Sequence, residues 1–324
     1  MSNPNLIAKS FGSLREAFGK SVTKIAKTNN KIVILDADLA GGTGCHHFLK
    51  KYPKRFFQCG IAEQNMISVS AGMSSLGLIP FATTFAVFAL RAFEQARLSI
   101  SYSKLNVKIV ASHGGLDAGP DGASAQCIED LACFRSLPNF VVLCPCDSNE
   151  MYQAVKTISK YKGPVYMRTG RSNVENITKA KKKFIIGKGL ILNKGNEICV
   201  ISTGMQTPIA LNAIKSLKKK NINPTLVHMP SIKPIDKNLI IKQAKKHKII
   251  ITFEDHNIYG GLGSAVCEVV SEKLPIKVSI MGVKDKIGRS AEAKQLLKEY
   301  GIDEKALIQN ILRLKKKLNV KARK

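Results

Sequence analysis

The sequence has no tryptophan, only 6% aromatic residues, and 23 acidic side chains against 51 Lys and Arg. It has eight cysteines but no CxxC pair. Thiols at irregular spacing argue against a zinc ribbon and against a disulfide framework, so a reducing cytoplasm is the expected location. Cys45-His46-His47 are metal-ligand types, but no second pair is placed to complete a site, and no metal-holding residue is expected. No apolar run follows Met1, so a secretory signal is not expected. No stretch approaches ~20 mainly apolar residues without polar interruption, which excludes a helical membrane span.

The deficit of acids leaves a net charge of +28. A surplus of that size fits nucleic acid, acidic surfaces or anionic substrates. The lysines, however, are spread along helix surfaces, as at Lys218 to Lys220, Lys245, Lys246 and Lys315 to Lys317. No helix-turn-helix, finger or aromatic RNA-binding strand accompanies them. With abundant Ile and Asn, the charge reads as composition bias, and no nucleic-acid partner is expected.

One local absence organises the chain. Between Arg55 and Arg91 the single charged side chain is Glu63. Gln64, Asn65, Ser and Thr residues and Pro80 interrupt that stretch, so it reads as core: a helix from about Ala62, a strand or turn near Pro80, then a second helix. A carboxylate buried there costs several kcal/mol unless it neutralises or finds a partner. Such a group can give or take a proton, as general acid–base chemistry requires. The competing explanation is a helix-start Glu that complements the N-terminal dipole and reaches water. Phe85, Phe88 and Phe93 would let a flat, nitrogen-bearing ligand lie on an aromatic face while Glu63 meets its edge. Aromatics at helical spacing equally serve as core.

Around this centre the chain reads as alternating α and β. Ser13-Leu-Arg-Glu16 has capping-box spacing, and Leu14, Phe18, Val22 and Ile25 share one face, predicting a helix over about 13–28. Lys31 to Leu35 is a buried strand running into an acid- and glycine-containing turn, Asp36 to Thr43. Ligands in open α/β sheets sit at such carboxyl ends, although a plain βα turn has the same composition. The strand Val107 to Ala111 leads into a glycine-rich loop carrying His113, Asp117 and Asp121. Long loops inside compact domains are usually functional. Ser124 is expected to cap the next helix, through about Arg135. Further strands are expected at 140–143 and 164–167. The last delivers Arg168 and Arg171, either a phosphate or carboxylate clamp or a solvated pair.

The charged segment Ser172 to Lys183 is the expected domain boundary, giving domains over 1–180 and 181–324. Beyond it, strands near 198–201, 225–228, 249–253 and 277–281 alternate with helices from about Gln206 and Asp236. Tyr259-Gly-Gly-Leu-Gly-Ser264 opens another helix and resembles a phosphate loop only weakly. The expected fold class is α/β with two doubly wound domains.

The ordered motifs GIAEQNM, PFATTFAVFALRAFEQ, SHGGLDAGPDG, IEDLACFRSLPN, CPCDSNE and MRTGR resemble the pyrimidine-binding half of transketolases. IKPID, TFEDHNIYGGLGSAV and IGRSAEAKQLLKEYGID continue the likeness through nearly the whole chain. The resemblance implies an enzyme that uses thiamine diphosphate and a divalent metal such as Mg²⁺. It moves a two-carbon ketol unit from a ketose phosphate to an aldose phosphate. It gives Glu63 the role of the glutamate that hydrogen-bonds the cofactor's aminopyrimidine, and Phe85 and Phe88 that of packing the same ring. Asp38 and Arg91 fall near the cofactor. His113 and Asp121 fall on substrate contacts, His113 also as a catalytic group, and Arg15, Thr43 and Arg171 on the phosphate site.

Two departures qualify the resemblance. The GDG segment that holds metal and diphosphate in the family occurs nowhere in this sequence. The resemblance therefore implies the C-terminal subunit of a split enzyme, paired with a GDG-bearing chain, as an α2β2 heterotetramer. Ala125 stands where many members carry a donor-contacting His, and Pro120 replaces an acid beside Asp121, leaving the donor sugar open. Other readings are a 2-oxo-acid dehydrogenase beta subunit, a deoxyxylulose-phosphate synthase-like enzyme, or a non-catalytic partner-binding paralogue.

Overall fold

Ser13 accepts a hydrogen bond from the Glu16 backbone N–H at 3.3 Å, which starts the first helix, Leu14–Ile25. The return half of the box is not made, because the Glu16 carboxylate goes to His47 instead. The computed structural model describes residues 10–321. Its elements build an α/β fold around two sheets, a seven-stranded and a five-stranded one.

The larger sheet runs, in spatial order, Ser231–Lys233, Val141–Leu143, Val165–Arg168, Lys108–Ser112, Ile79–Phe85, Ile32–Asp36 and Phe56–Gln58. All neighbours are parallel except the edge strand Ser231–Lys233. The interior strands are short apolar runs buried on both faces, as parallel sheets covered by helices require, whereas the edge strand Phe56–Gln58 is largely exposed. From Ile32–Asp36 the chain goes outward to Phe56–Gln58, then crosses back through the helix Glu63–Ser75 to Ile79–Phe85 on the other side. The carboxyl end at Asp36 is therefore the switch point of the sheet, the place where a crevice opens. Register aligns Asp36 with Gln58 and Thr83, and Phe85 with Ser112, along that edge.

The second sheet runs Lys277–Val283, Ile249–Asn257, Ile198–Ser202, Thr225–His228 and Leu190–Asn193. Only the last strand is antiparallel to its neighbour. A two-stranded antiparallel ribbon, Phe11–Ser13 with Asn173–Glu175, ties the first helix to the segment after Arg171. Ser231–Lys233 was not foreseen: it leaves the second sheet's part of the sequence and extends the edge of the first.

Two expectations fail in the glycine-rich loop. Residues 116–121 form a 3₁₀ turn, and the following helix begins only at Asp130. Ser124 is exposed and does not cap it. Gly119 and Gly122 take positive φ, which ends any early helix, and Cys127 is held in bridges to Gly114 and Gly115. Phe93 does not join Phe85 and Phe88; it meets the edge of Phe134 in the core, with centroids 6.0 Å apart.

Candidate active site

Asp36 is fixed at the carboxyl end of its strand. Its carboxylate accepts from Leu39 N at 2.8 Å, Gln58 Nε2 at 3.2 Å and Thr83 Oγ1 at 3.2 Å. Burial raises its pKa, and these donors oppose the rise. Asp38, two residues on, is exposed at φ 59°, with its backbone N–H bonded to Gln58. Thr43 is buried, and its hydroxyl donates to Leu39 O at 3.1 Å within its own turn.

Glu63 opens its helix at 3% exposure. Among the described residues its carboxylate has no hydrogen-bond partner. Its helix packs on the strand ending in Phe85 and on the helix Ala86–Arg91 that follows. Phe85 and Phe88 stack with centroids 5.7 Å apart at 11°. Phe85 also stacks on His113, with ring centroids 3.7 Å apart at 24°. A planar ligand would thus meet aromatic faces and a buried carboxylate that needs a donor, so these residues fit an aminopyrimidine. Arg91 is exposed at the end of the same short helix.

His113 is 2% exposed and held at φ 61°. Ser112 Oγ lies 3.2 Å from Gly42 O and 2.9 Å from His113 Nδ1. The Ser112 hydroxyl thus ties the imidazole to the turn that carries Gly42. Burial lowers the pKa of His113 to about 4; the Arg15 and Arg171 cations add to this and Asp121 opposes it. The imidazole is therefore neutral near pH 7. Its Nε2 lies 3.7 Å from Asp121 Oδ2, and Asp121 Oδ1 lies 3.4 Å from Arg171 Nη2. A neutral imidazole, a carboxylate and a cation together suit a ligand rich in hydroxyls with an anionic end. Arg15 also reaches this region, with Nη1 3.4 Å from Gly42 O, while its buried Nε lacks a partner among the described residues.

The sequence missed what holds this loop. Asp117 is buried and accepts from Arg171 N at 2.5 Å and Ser172 N at 2.9 Å. Asp255, from the second sheet, accepts from Leu116 N at 2.9 Å and Asp117 N at 3.3 Å. Burial raises the Asp255 pKa to about 6, despite the nearby Arg168 cation. Gly115 sits at φ 83° against that carboxylate, and a Cβ there would lie 2.1 Å from Asp255 Oδ2, so only glycine fits. Leu116 and Ile128 pack into the second sheet's core with Val200 and Phe253. Gln126 Nε2 donates to Arg289 O at 2.8 Å.

Arg168 does not join Arg171 in a clamp. Its guanidinium is buried, donating to Asp130 Oδ1 at 2.7 Å, Asp255 O at 2.7 Å and Cys127 O at 2.9 Å. Alternation of side chains along the strand turns it into the interior, where Asp130 neutralises it. Ala125 is buried beside the loop.

Two family descriptions match the chain: "Transketolase, pyrimidine binding domain" over residues 12–176 and "Transketolase, C-terminal domain" over 187–307. The chain belongs to the transketolase family, of which it comprises the pyrimidine-binding and C-terminal regions. It is 44% identical to a protein named as a transketolase C-terminal section in Methanocaldococcus jannaschii, covering 95% of this chain and 98% of that one. It is 36% identical to human transketolase over 92% of this chain but spans only 48% of the human protein. A solved structure titled as a split gene transketolase in an inactive beta4 tetramer superposes with a TM-score of 0.85 at 43% identity. That match covers 93% of this chain and 97% of the other.

Proposed function

We propose that this chain is the C-terminal subunit of a thiamine-diphosphate-dependent split transketolase. It acts on phosphosugars, from ketose-phosphate donor to aldose-phosphate acceptor, and only with a separate GDG-bearing subunit. The observation that carries this reading is Glu63, a buried carboxylate with no partner among the described residues of its own chain. Thiamine diphosphate supplies the carbon that takes up and releases the two-carbon unit. Glu63 hydrogen-bonds the aminopyrimidine edge and holds the proton there; Phe85 and Phe88 pack the ring. Asp38 and Arg91, both exposed, line the cofactor's margin where the other subunit approaches. His113 and Asp121 accept hydrogen bonds from sugar hydroxyls, and Arg15 and Arg171 take the phosphate. Thr43 supports that phosphate site by closing the turn that carries Gly42.

Mg²⁺ and the diphosphate belong to the partner chain, since this sequence has no GDG. The partner-facing surface has a physical signature. On the helix Glu63–Ser75 the exposed residues Gln64, Asn65, Ser68, Gly72 and Ser75 carry no charge. Ile61, Leu76, Leu98 and Tyr102, flanking it or on the helix packed against it, are 77%, 83%, 50% and 80% exposed. On a chain of net charge +28, such a face fits burial in an α2β2 assembly. The eight cysteines are all free, in keeping with a cytoplasmic home. No helix of the described residues is long and apolar enough to cross a membrane. We read two domains, 1–180 and 181–324, on the ground that the strands of the seven-stranded sheet, apart from Ser231–Lys233, precede that boundary and those of the five-stranded sheet follow it.

Native mass spectrometry with the GDG-bearing chain of the same organism, thiamine diphosphate and Mg²⁺ tests this. The expected result is a mixed assembly that retains cofactor, with neither chain retaining it alone. Cofactor retention and turnover by this chain alone would overturn the reading, as would failure of the two chains to associate.

A further inference from the structure

The sequence places no second pair beside Cys45-His46-His47, and the fold brings one carboxylate to it from the first helix. Gly19 and Gly44 let the helix Leu14–Ile25 and the start of the helix His46–Lys51 touch backbone to backbone. A Cβ on Gly19 would lie 1.9 Å from Gly44 O, and one on Gly44 would lie 2.3 Å from Arg15 O. Gly44 also sits at φ 80°. That contact places Glu16 Oε2 2.7 Å from His47 Nε2. The His46 ring lies against His47 with centroids 4.1 Å apart. One ligand atom from each of Glu16, His46 and His47 lies within 4.8 Å of the others. Cys45 drops out, because its buried thiol turns inward to Thr83 Oγ1 at 3.4 Å.

From this geometry we propose that Glu16, His46 and His47 form a binding site for a borderline first-row divalent cation, of the zinc class. Two imidazoles and one carboxylate are the donor set such ions prefer, whereas Mg²⁺ and Ca²⁺ take oxygen. Around a tetrahedral zinc, neighbouring ligand atoms stand about 3.3 Å apart at metal–ligand distances of ~2.0–2.1 Å. The Glu16–His47 pair needs to open by only a few tenths of an ångström, and exposed His46 is free to swing inward. Partial burial works to raise the Glu16 pKa, but the hydrogen bond and charges of His47, with His46 and Lys20, hold the carboxyl below its ordinary value. Lys20 and the helix-end Lys50 and Lys51 are the surrounding cations, and they set the affinity below that of a closed structural site. The ion would leave a coordination position open to water and would lock the first helix, which carries Arg15, to the 46–51 helix.

The test uses the full-length, tag-free chain and Zn²⁺ alone, by isothermal titration, with Co²⁺ absorption to report ligand type. Wild type is expected to bind one Zn²⁺ per chain, with a Co²⁺ spectrum free of thiolate charge-transfer bands. His46→Gln, at an exposed position that leaves folding intact, is expected to weaken Zn²⁺ binding at least tenfold. The pair His46→Gln/His47→Gln is expected to abolish it. Saturable binding unchanged in the double variant, a thiolate spectrum, or no saturable binding by wild type would overturn the proposal. None of these readouts depends on ketol transfer.

Discussion

Two sides of the candidate site differ in how they are tied to the rest of the chain. On the side of His113, Asp121 and Arg171, the loop is tied to the second sheet by Asp255, Gln126 and the buried Leu116. On the side of Glu63, Ser74 Oγ, Thr84 Oγ1 and Gln95 Oε1 are buried without hydrogen-bond partners among the described residues, and the Glu63 carboxylate bonds to no described residue. Buried polar groups are nearly always paired, and each orphan costs ~1–3 kcal/mol. The first side is anchored by this chain, although Arg15 Nε, Gln126 Oε1 and Thr169 Oγ1 there are also buried without partners among the described residues.

The sharpest break of that contrast is Glu63→Gln. Assembled with its partner, this variant is expected to fold and associate but to lose on the order of 10²–10⁴-fold in turnover, the usual worth of a positioned acid–base group. A coupled sugar-phosphate assay checks it, and near-normal turnover would remove the proton role. Next comes the uncharged face. Ile61→Glu with Leu76→Glu leaves this chain's own core untouched, since both are exposed. Association should weaken by at least roughly 100-fold, because each buried unpaired charge costs ~3–5 kcal/mol. Unchanged assembly by analytical ultracentrifugation would place the partner elsewhere.

On the anchored side, Arg171→Ala should raise KM for phosphorylated sugars by roughly 10- to 100-fold, since hydrogen bonds to charged groups are worth ~1.5–3 kcal/mol. Unphosphorylated sugars should change far less. Equal effects on both would take Arg171 out of the phosphate site. The smallest effect concerns the anchor. Burial raises the pKa of Asp255 to about 6 from 3.8 and that of Glu254 to about 7 from 4.5. Their folded-state proton is therefore held more tightly than in the unfolded chain. The stability they contribute is full below about pH 4 and is lost as pH rises through 6 and 7. Asp255→Asn should flatten the fall in urea midpoint between pH 5 and 8, and parallel curves would show that Asp255 does not titrate as described.

Much of this was legible beforehand because it is local. The strand Thr225–His228 and the helix starts at Ser13 and Asp236 follow from β-branched runs and capping side chains, which need no distant partner. The isolation of Glu63 was visible as a gap in charge. Arg168 was not separable from Arg171 on paper, since both are cations in one tetrapeptide. Only Asp130, brought alongside by folding, decides which of them is buried. Ser124 looked like a cap because the hold of Gly115 on Cys127 O, at 2.6 Å, is invisible in the sequence.

The sequence by itself determined the α/β alternation, the family and the residue types around the crevice. Those depend on periodicity and short motifs that local chemistry enforces. Tertiary structure decided which carboxylates anchor and which stay free, that a strand from 231–233 closes the first sheet, and that Glu16 meets His47. Each of those depends on a contact between segments tens of residues apart, whose pairing is set by packing of the whole core and not by any local preference.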